Sequence, residues 1–384
     1  MPPRHHGIAE LGGRLSRQRI DLVVGTRPEA IKLAPVATAL AERGRPARII
    51  LTGQHPIDPE EHGLVAAEFV RLNCRGEHDP HLYAGRVARA VAALLAVPPG
   101  LLVVQGDTAS ALGAALAGFA AAIPVAHVEA GLRSFDPAMP WPEEEYRTAI
   151  DARAALLFAP TEVSAANLRA ERVPGRIFVT GNTGVDALLQ VLERLPQPQP
   201  GPAGRLRLLV TCHRRENWGS GLAAVAAALA ELARDHPVSI DVVMHPNPAV
   251  SAQLRGLLDG RPHIRLAEPL AHDAMIAAMR ASDLLLSDSG GVQEEAPTLG
   301  LPLLVLRDKT ERPEGVASGN MRLVGTDRRR IVEAVATLLD PAARAAMSRH
   351  AFPFGDGRSA PRIAGHICEF MDRGAAVGAE ARRA

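Results

Sequence analysis

Short apolar, β-branched runs alternate with longer runs of helical spacing along nearly the whole chain. Residues 20–24 (IDLVV) read as a strand and 28–40 as a helix; 47–51 as a strand and 82–95 as a helix. The pattern continues with strand 101–105, helix 108–121, strand 124–128, strand 154–159, helix 161–171, strand 176–180 and helix 184–194. Alternation of this kind predicts a parallel sheet covered by helices on both faces. It stops at 195–204 (LPQPQPGPAG), where four prolines and two glycines exclude a helix or an inner strand. It then restarts with strands 206–211, 239–244, 264–266, 284–286 and 303–306. Helices fall between them at 221–234, 249–258, 272–281 and 293–299, and two amphipathic stretches follow at 328–339 and 360–371. The expected fold is therefore α/β: two Rossmann-like, doubly wound domains facing a cleft, with ligands at the carboxyl ends of the strands. The expected boundaries are an N-terminal arm (1–18), a first domain (19–195), a linker (196–204) and a second domain (205–358). A C-terminal helix and tail (359–384) would pack back on the first domain.

The length of 384 residues suits two such domains. A net charge of +1 gives no overall field for nucleic acid or a membrane surface. Aromatics at 3% argue against stacking platforms for single strands or polysaccharide. Cys74, Cys212 and Cys368 have neither a disulfide nor a zinc spacing, which fits a reducing cytoplasm. Residues 1–18 lack the apolar centre of a signal peptide. The longest uncharged run, 108–128, is broken by Pro124 and reads as a buried helix and strand rather than a membrane span.

The chemistry-bearing residues follow the predicted strands. Ser287-Asp288-Ser289-Gly290-Gly291 lies between an apolar strand and a helix. Glycines there let backbone approach a ligand, and the first-turn amides with the helix dipole favour an anion. A hydroxyl from Ser289 suits a phosphate oxygen, and Glu295, further along the helix, suits a ribose diol. In the first half, Arg27 follows strand 20–24, Asp107 follows strand 101–105, Glu129 follows strand 124–128, and Glu143 opens a run of three glutamates. One such acid is more often structural, an N-cap for instance. Three acids from loops of one sheet have a common rim available. His213 follows the first strand of the second half and is placed as a proton donor or phosphate ligand. His245 and Arg312 follow other strands of that half.

Taken together, GTRPEAIKLAP, TGQH, GDTAS, HVEAGLRS, PWPEE, FAPTE, GNTGVDAL, TCHRREN, HPNP, SDSGGVQEEAPTLGLP, DKTERPE and VGTD occur in order. The chain thereby resembles the non-hydrolysing UDP-N-acetylglucosamine 2-epimerases, whose fold is of the glycosyltransferase B class, over residues 23–370. The resemblance implies interconversion of UDP-GlcNAc and UDP-ManNAc. UDP would be eliminated to leave 2-acetamidoglucal and then added back. It implies Asp107, Glu129 and Glu143 as catalytic carboxylates and His213 beside the diphosphate. It implies substrate contacts from Arg27, Lys32, Gln54, His55, Arg147, Arg214, His245, Ser289, Gly290, Gly291, Glu295 and Arg312. It further implies a cytoplasmic homodimer using neither metal nor nicotinamide. Two places depart from the family pattern. Tyr146 stands where an asparagine is usual, and the segments 56–62 and 76–83 lack the usual glutamines of the substrate and allosteric contacts. The alternatives on the same scaffold are a hydrolysing epimerase, an epimerase of a specialised amino-sugar pathway, and a glycosyltransferase.

Overall fold

The computed structural model describes residues 18–75, 77–198, 204–212, 214 and 217–380. The expected N-terminal arm (save Gln18), residues 199–203 of the expected linker, and His213 therefore lie outside the described residues. The chain divides into two compact units. One runs to Ala187 and resumes at Gly355; the other is Leu188–Phe354. The division falls inside the Thr183–Arg194 helix, ahead of the proline-rich stretch.

The first unit holds seven strands. These are β1 (Ile20–Val24), β2 (Arg48–Leu51), β3 (Glu68–Arg71), β4 (Leu101–Gln105), β5 (Val125–Val128), β6 (Leu156–Ala159) and β7 (Arg176–Val179). They pair in parallel in the order β3-β2-β1-β4-β5-β6-β7. The inner strands are apolar at successive positions because both faces are covered. Along β1 and β4, Leu22, Val24, Leu101 and Val103 face one core, while Val23, Leu102 and Val104 face the other. The Arg27–Glu42 helix packs on the first of these faces through Leu33, Val36, Ala37 and Leu40. The Ser359–Glu380 helix adds Ala360, Ile363, Ala364, Ile367 and Met371 to the same cluster. That spacing of three, four and seven is one helical face. The Pro80–Leu94, Ala109–Ala120 and Glu143–Asp151 helices cover the other side.

The second unit repeats the scheme with β8 (Leu206–Thr211), β9 (Val238–Val243), β10 (Ile264–Ala267), β11 (Leu284–Ser287), β12 (Leu303–Val305) and β13 (Met321–Leu323). Their order is β10-β9-β8-β11-β12-β13, again all parallel. Each unit thus reverses strand order once, between β1 and β4 and between β8 and β11. Loops at the carboxyl ends of such a pair diverge to opposite faces and leave a crevice for ligands.

Two strands, β3 and β13, the Glu143–Asp151 helix and the short Pro313–Ala317 and Pro341–Met347 helices were not expected from the sequence pattern. β3 is an edge strand with an exposed EFVR sequence, so it lacks the continuous apolar run that marks the inner strands. Among the described residues no helix is long and apolar enough to cross a membrane.

Candidate active site

At the reversal point of the first unit, β1 ends in Gly25-Thr26. Thr26 caps the Arg27–Glu42 helix in a capping box with Glu29, a feature worth about 1 kcal/mol. Glu29 is buried. One of its oxygens accepts from Gly25 N at 2.9 Å and Thr26 N at 2.6 Å; the other accepts from Thr108 Oγ1 at 2.7 Å. The loop after β1 is thus bonded to the residue after Asp107. Burial pushes the Glu29 carboxyl up to about 7, against the lowering effect of the bonds from Thr108, Thr26 and Gly25. Gly25 has no space for a side chain: a Cβ would stand 2.0 Å from Ser110 Oγ and 2.8 Å from Thr52 Oγ1.

The loop after β2 joins the same group. Ser110 Oγ donates to Gln54 Oε1 at 2.7 Å, and His55 N donates to Gly25 O at 2.8 Å. Burial, and then the charge of Arg27, holds the His55 imidazole below its usual value. Arg27 itself is exposed at the start of its helix.

The carboxylates come next. Gln105 and Val128 are paired in register at the ends of β4 and β5, so Asp107 and Glu129 leave the sheet side by side. Lys32 Nζ lies 2.5 Å from Glu129 Oε2, and Gln105 Nε2 donates to the same oxygen at 2.7 Å. Glu129 has φ +70°, which turns the chain sharply at the strand end. Arg147 donates from Nε to Asp107 Oδ2 at 3.0 Å and also from Nη2. Its Nη1 donates to Glu144 Oε2 at 2.8 Å. Glu143 is half-buried at the start of the helix that carries Arg147. Asp107, Glu129 and the Glu143 helix are therefore tied together within one unit by Gln105, Lys32 and Arg147. The two departures from the family pattern also meet: Tyr146 Oη lies 3.3 Å from His81 Nδ1, and their rings stand edge to face at 5.4 Å.

In the second unit, Asp288 spans the corresponding reversal point. Its Oδ2 accepts from Arg214 N at 2.9 Å and Asn217 Nδ2 at 2.8 Å, joining the loop after β8 to the end of β11. Ser289 is the N-cap residue of the Gly290–Leu299 helix, and its side chain makes no capping bond. The two glycines differ. A Cβ on Gly290 would lie 3.0 Å from the Arg312 guanidinium, whereas at Gly291 the nearest atom would be Ser289 Oγ at 3.9 Å. Arg312 is itself held by Glu294, with Nε at 2.8 Å from Oε1, and by Glu311. Glu295 Oε1 lies 3.1 Å from His272 Nε2. His245 sits in the turn after β9, where its Nδ1 accepts from Asn247 N at 2.9 Å.

Sequence reasoning passed over Glu29, Gln105, Glu144, His272 and Asp288. The T-x-x-E spacing of Thr26 and Glu29 was a readable capping signal. Gln105, His272 and Asp288 are distant in sequence from the groups they hold, whereas Glu144 lies one helical turn before Arg147.

The fold and these loops define a two-unit, doubly wound α/β protein with paired acids at one reversal point and a Ser-Gly-Gly helix start at the other. The family model described as UDP-N-acetylglucosamine 2-epimerase matches residues 38–368. The UDP-N-acetylglucosamine 2-epimerase of Yersinia pestis is 42% identical over 371 residues, covering 90% of this chain and 97% of that protein. The Escherichia coli K12 enzyme of that name is 40% identical over 366 residues, with the same coverage. Among solved structures, the Neisseria meningitidis UDP-GlcNAc 2-epimerase bound to UDP-GlcNAc matches with a TM-score of 0.85 and 34% identity. That match covers 91% of this chain and all of the other. The Methanocaldococcus jannaschii enzyme in complex with UDP-GlcNAc and UDP gives 0.81 and 34%, covering 91% and 99%. The chain belongs to the UDP-N-acetylglucosamine 2-epimerase family.

Proposed function

We propose that the chain inverts C2 of UDP-GlcNAc, interconverting it with UDP-ManNAc without net hydrolysis. The observation that carries the reading is the pair of acids at adjacent strand ends, in a chain similar to named epimerases over almost their full length. The C2 proton of the intact sugar has no neighbouring carbonyl and is not acidic. If the C1–O bond breaks first, UDP leaves with the electron pair and the ring becomes an oxocarbenium ion. A carboxylate then takes the C2 proton, and the C–H electrons form the C1–C2 double bond of 2-acetamidoglucal. Return of a proton to the other face of C2 and of the UDP oxygen to C1 completes the inversion. Two faces require two proton carriers, and Asp107, Glu129 and Glu143 supply them.

Lys32 and Gln105 orient Glu129, and Arg147 orients Asp107. The Gly291 amide, Ser289 and Arg312 take the diphosphate, together with Arg27 and His213, and Glu295 takes the ribose. Donors preorganised around a leaving group contribute ~3 kcal/mol each to the transition state. Gln54, His55, Arg214 and His245 complete the substrate contacts. The working form is a homodimer in the cytoplasm. Incubation with UDP-GlcNAc in D2O tests the reading: the recovered sugar carries deuterium at C2, and UDP-ManNAc accumulates with no free ManNAc. Turnover without deuterium at C2 overturns the mechanism, and free ManNAc as the product replaces it with the hydrolysing reaction.

A further inference from the structure

His127 is the one polar residue of β5, and it is completely buried. Its Nε2 lies 2.7 Å from the carbonyl oxygen of Gly106, the residue before Asp107. Its Nδ1 lies 2.6 Å from Asp151 Oδ1. A backbone carbonyl can only accept, so Nε2 carries a proton. The other Asp151 oxygen accepts from Gly131 N at 3.0 Å and faces Arg133 Nη1 at 2.8 Å. An oxygen pair receiving an amide, a guanidinium and an imidazole belongs to an ionised carboxylate, which also only accepts. Nδ1 therefore carries a proton as well.

We infer that His127 carries a proton on each ring nitrogen and is a positioning residue. It ties the Gly106-Asp107 turn to the turn that carries Glu129. Through Nε2 it fixes the Gly106 carbonyl where that glycine adopts φ +66°. Through Asp151 it fixes Gly131, two residues beyond Glu129 and itself at φ +84°. A charge buried this deeply is tolerated only when it is paired and fully hydrogen-bonded. The pairing is complete here. His127 and Arg133 face Asp151, and Arg133 also donates to Glu171 from Nε at 2.7 Å and Nη2 at 2.6 Å, so two positive charges meet two negative ones. Burial pushes the Asp151 carboxyl up, but the charge and hydrogen bond of His127, then those of Arg133, together outweigh it and hold the carboxyl below its usual range. A neutral imidazole would leave one nitrogen facing an acceptor with nothing to donate.

The positioning half of this inference rests on the proposed roles of Asp107 and Glu129; the protonation half does not. Nitrogen-15 NMR of the full chain at neutral pH tests the latter. Both ring nitrogens of His127 are expected to show directly bonded protons in slow exchange with water. A bare nitrogen on that ring overturns the inference, whatever the activity of the protein. For the positioning role, His127→Gln keeps one of the two bonds. With its fold verified by circular dichroism, it is expected to lose kcat by at least about tenfold while KM stays within about threefold. Asp151→Asn is expected to do the same. An unchanged kcat in either folded variant refutes the positioning role. Failure of the unsubstituted chain to exchange C2 would instead refute the reaction itself and leave the NMR result standing.

Discussion

Glu29 offers the sharpest physical test of how the first unit is built. In the folded chain it is 1% exposed, and its carboxyl titrates at about 7 rather than 4.5. Burial dominates, although Thr108, Thr26 and the Gly25 amide all donate to the charged form. Between those two values the folded state binds more proton than the unfolded state. Stability therefore falls as pH rises from about 4.5 and levels off above about 7. At ~1.4 kcal/mol per unit, the interval between 4.5 and about 7 amounts to about 3 kcal/mol. Glu29→Gln keeps the volume and an oxygen for Gly25 N and Thr26 N but cannot ionise. Urea denaturation of parent and variant across this pH range reads the difference directly. The variant should gain on the parent steadily as pH rises, by an amount of that order, with no further gain above about pH 7. Parallel curves for the two proteins would refute the assignment. They would mean that the three donors cancel the desolvation and that the loop after β1 rests on an ordinary carboxylate.

Two further substitutions probe the proposed chemistry. Asp107→Asn retains an oxygen for Arg147 but removes a proton carrier. Deuterium entry at C2 should vanish while UDP affinity, read by calorimetry, stays within about tenfold; equal loss of both would point to a folding role. Gly290→Ala sets a methyl 3.0 Å from a guanidinium already held by Glu294 and Glu311. It should destabilise the second unit by about 1–3 kcal/mol and weaken UDP binding, whereas Gly291→Ala, which meets nothing nearer than Ser289 Oγ at 3.9 Å, should leave stability unchanged. Equal thermal stability of the two variants would refute the crowding of Gly290 by a fixed Arg312 guanidinium.

The inner strands were legible because a strand covered on both faces must be largely apolar, as IDLVV and LLVVQ are apart from Asp21 and Gln105. β3 was not, because at the sheet edge Glu68, Phe69 and Arg71 are exposed and no period marks them. The same distinction governs the site. Asp107, Glu129 and Ser289 stood out because a polar residue within two positions of a strand end lies where ligands bind in this topology. Their supports did not. In sequence Glu29 is part of a helix start, His127 is one letter of a motif, and nothing local shows that Arg312 occupies the space beside Gly290. Each support reaches across the order reversal or to a neighbouring strand, joining β1 to β4, β4 to β5 or β11 to the loop after β12. Strand order is a property of pairing between distant segments, so no local reading of the chain contains it. A doubly wound sheet therefore shows its candidate site groups in sequence, while the side chains bonded to them become apparent only once β1 is found beside β4 and β8 beside β11.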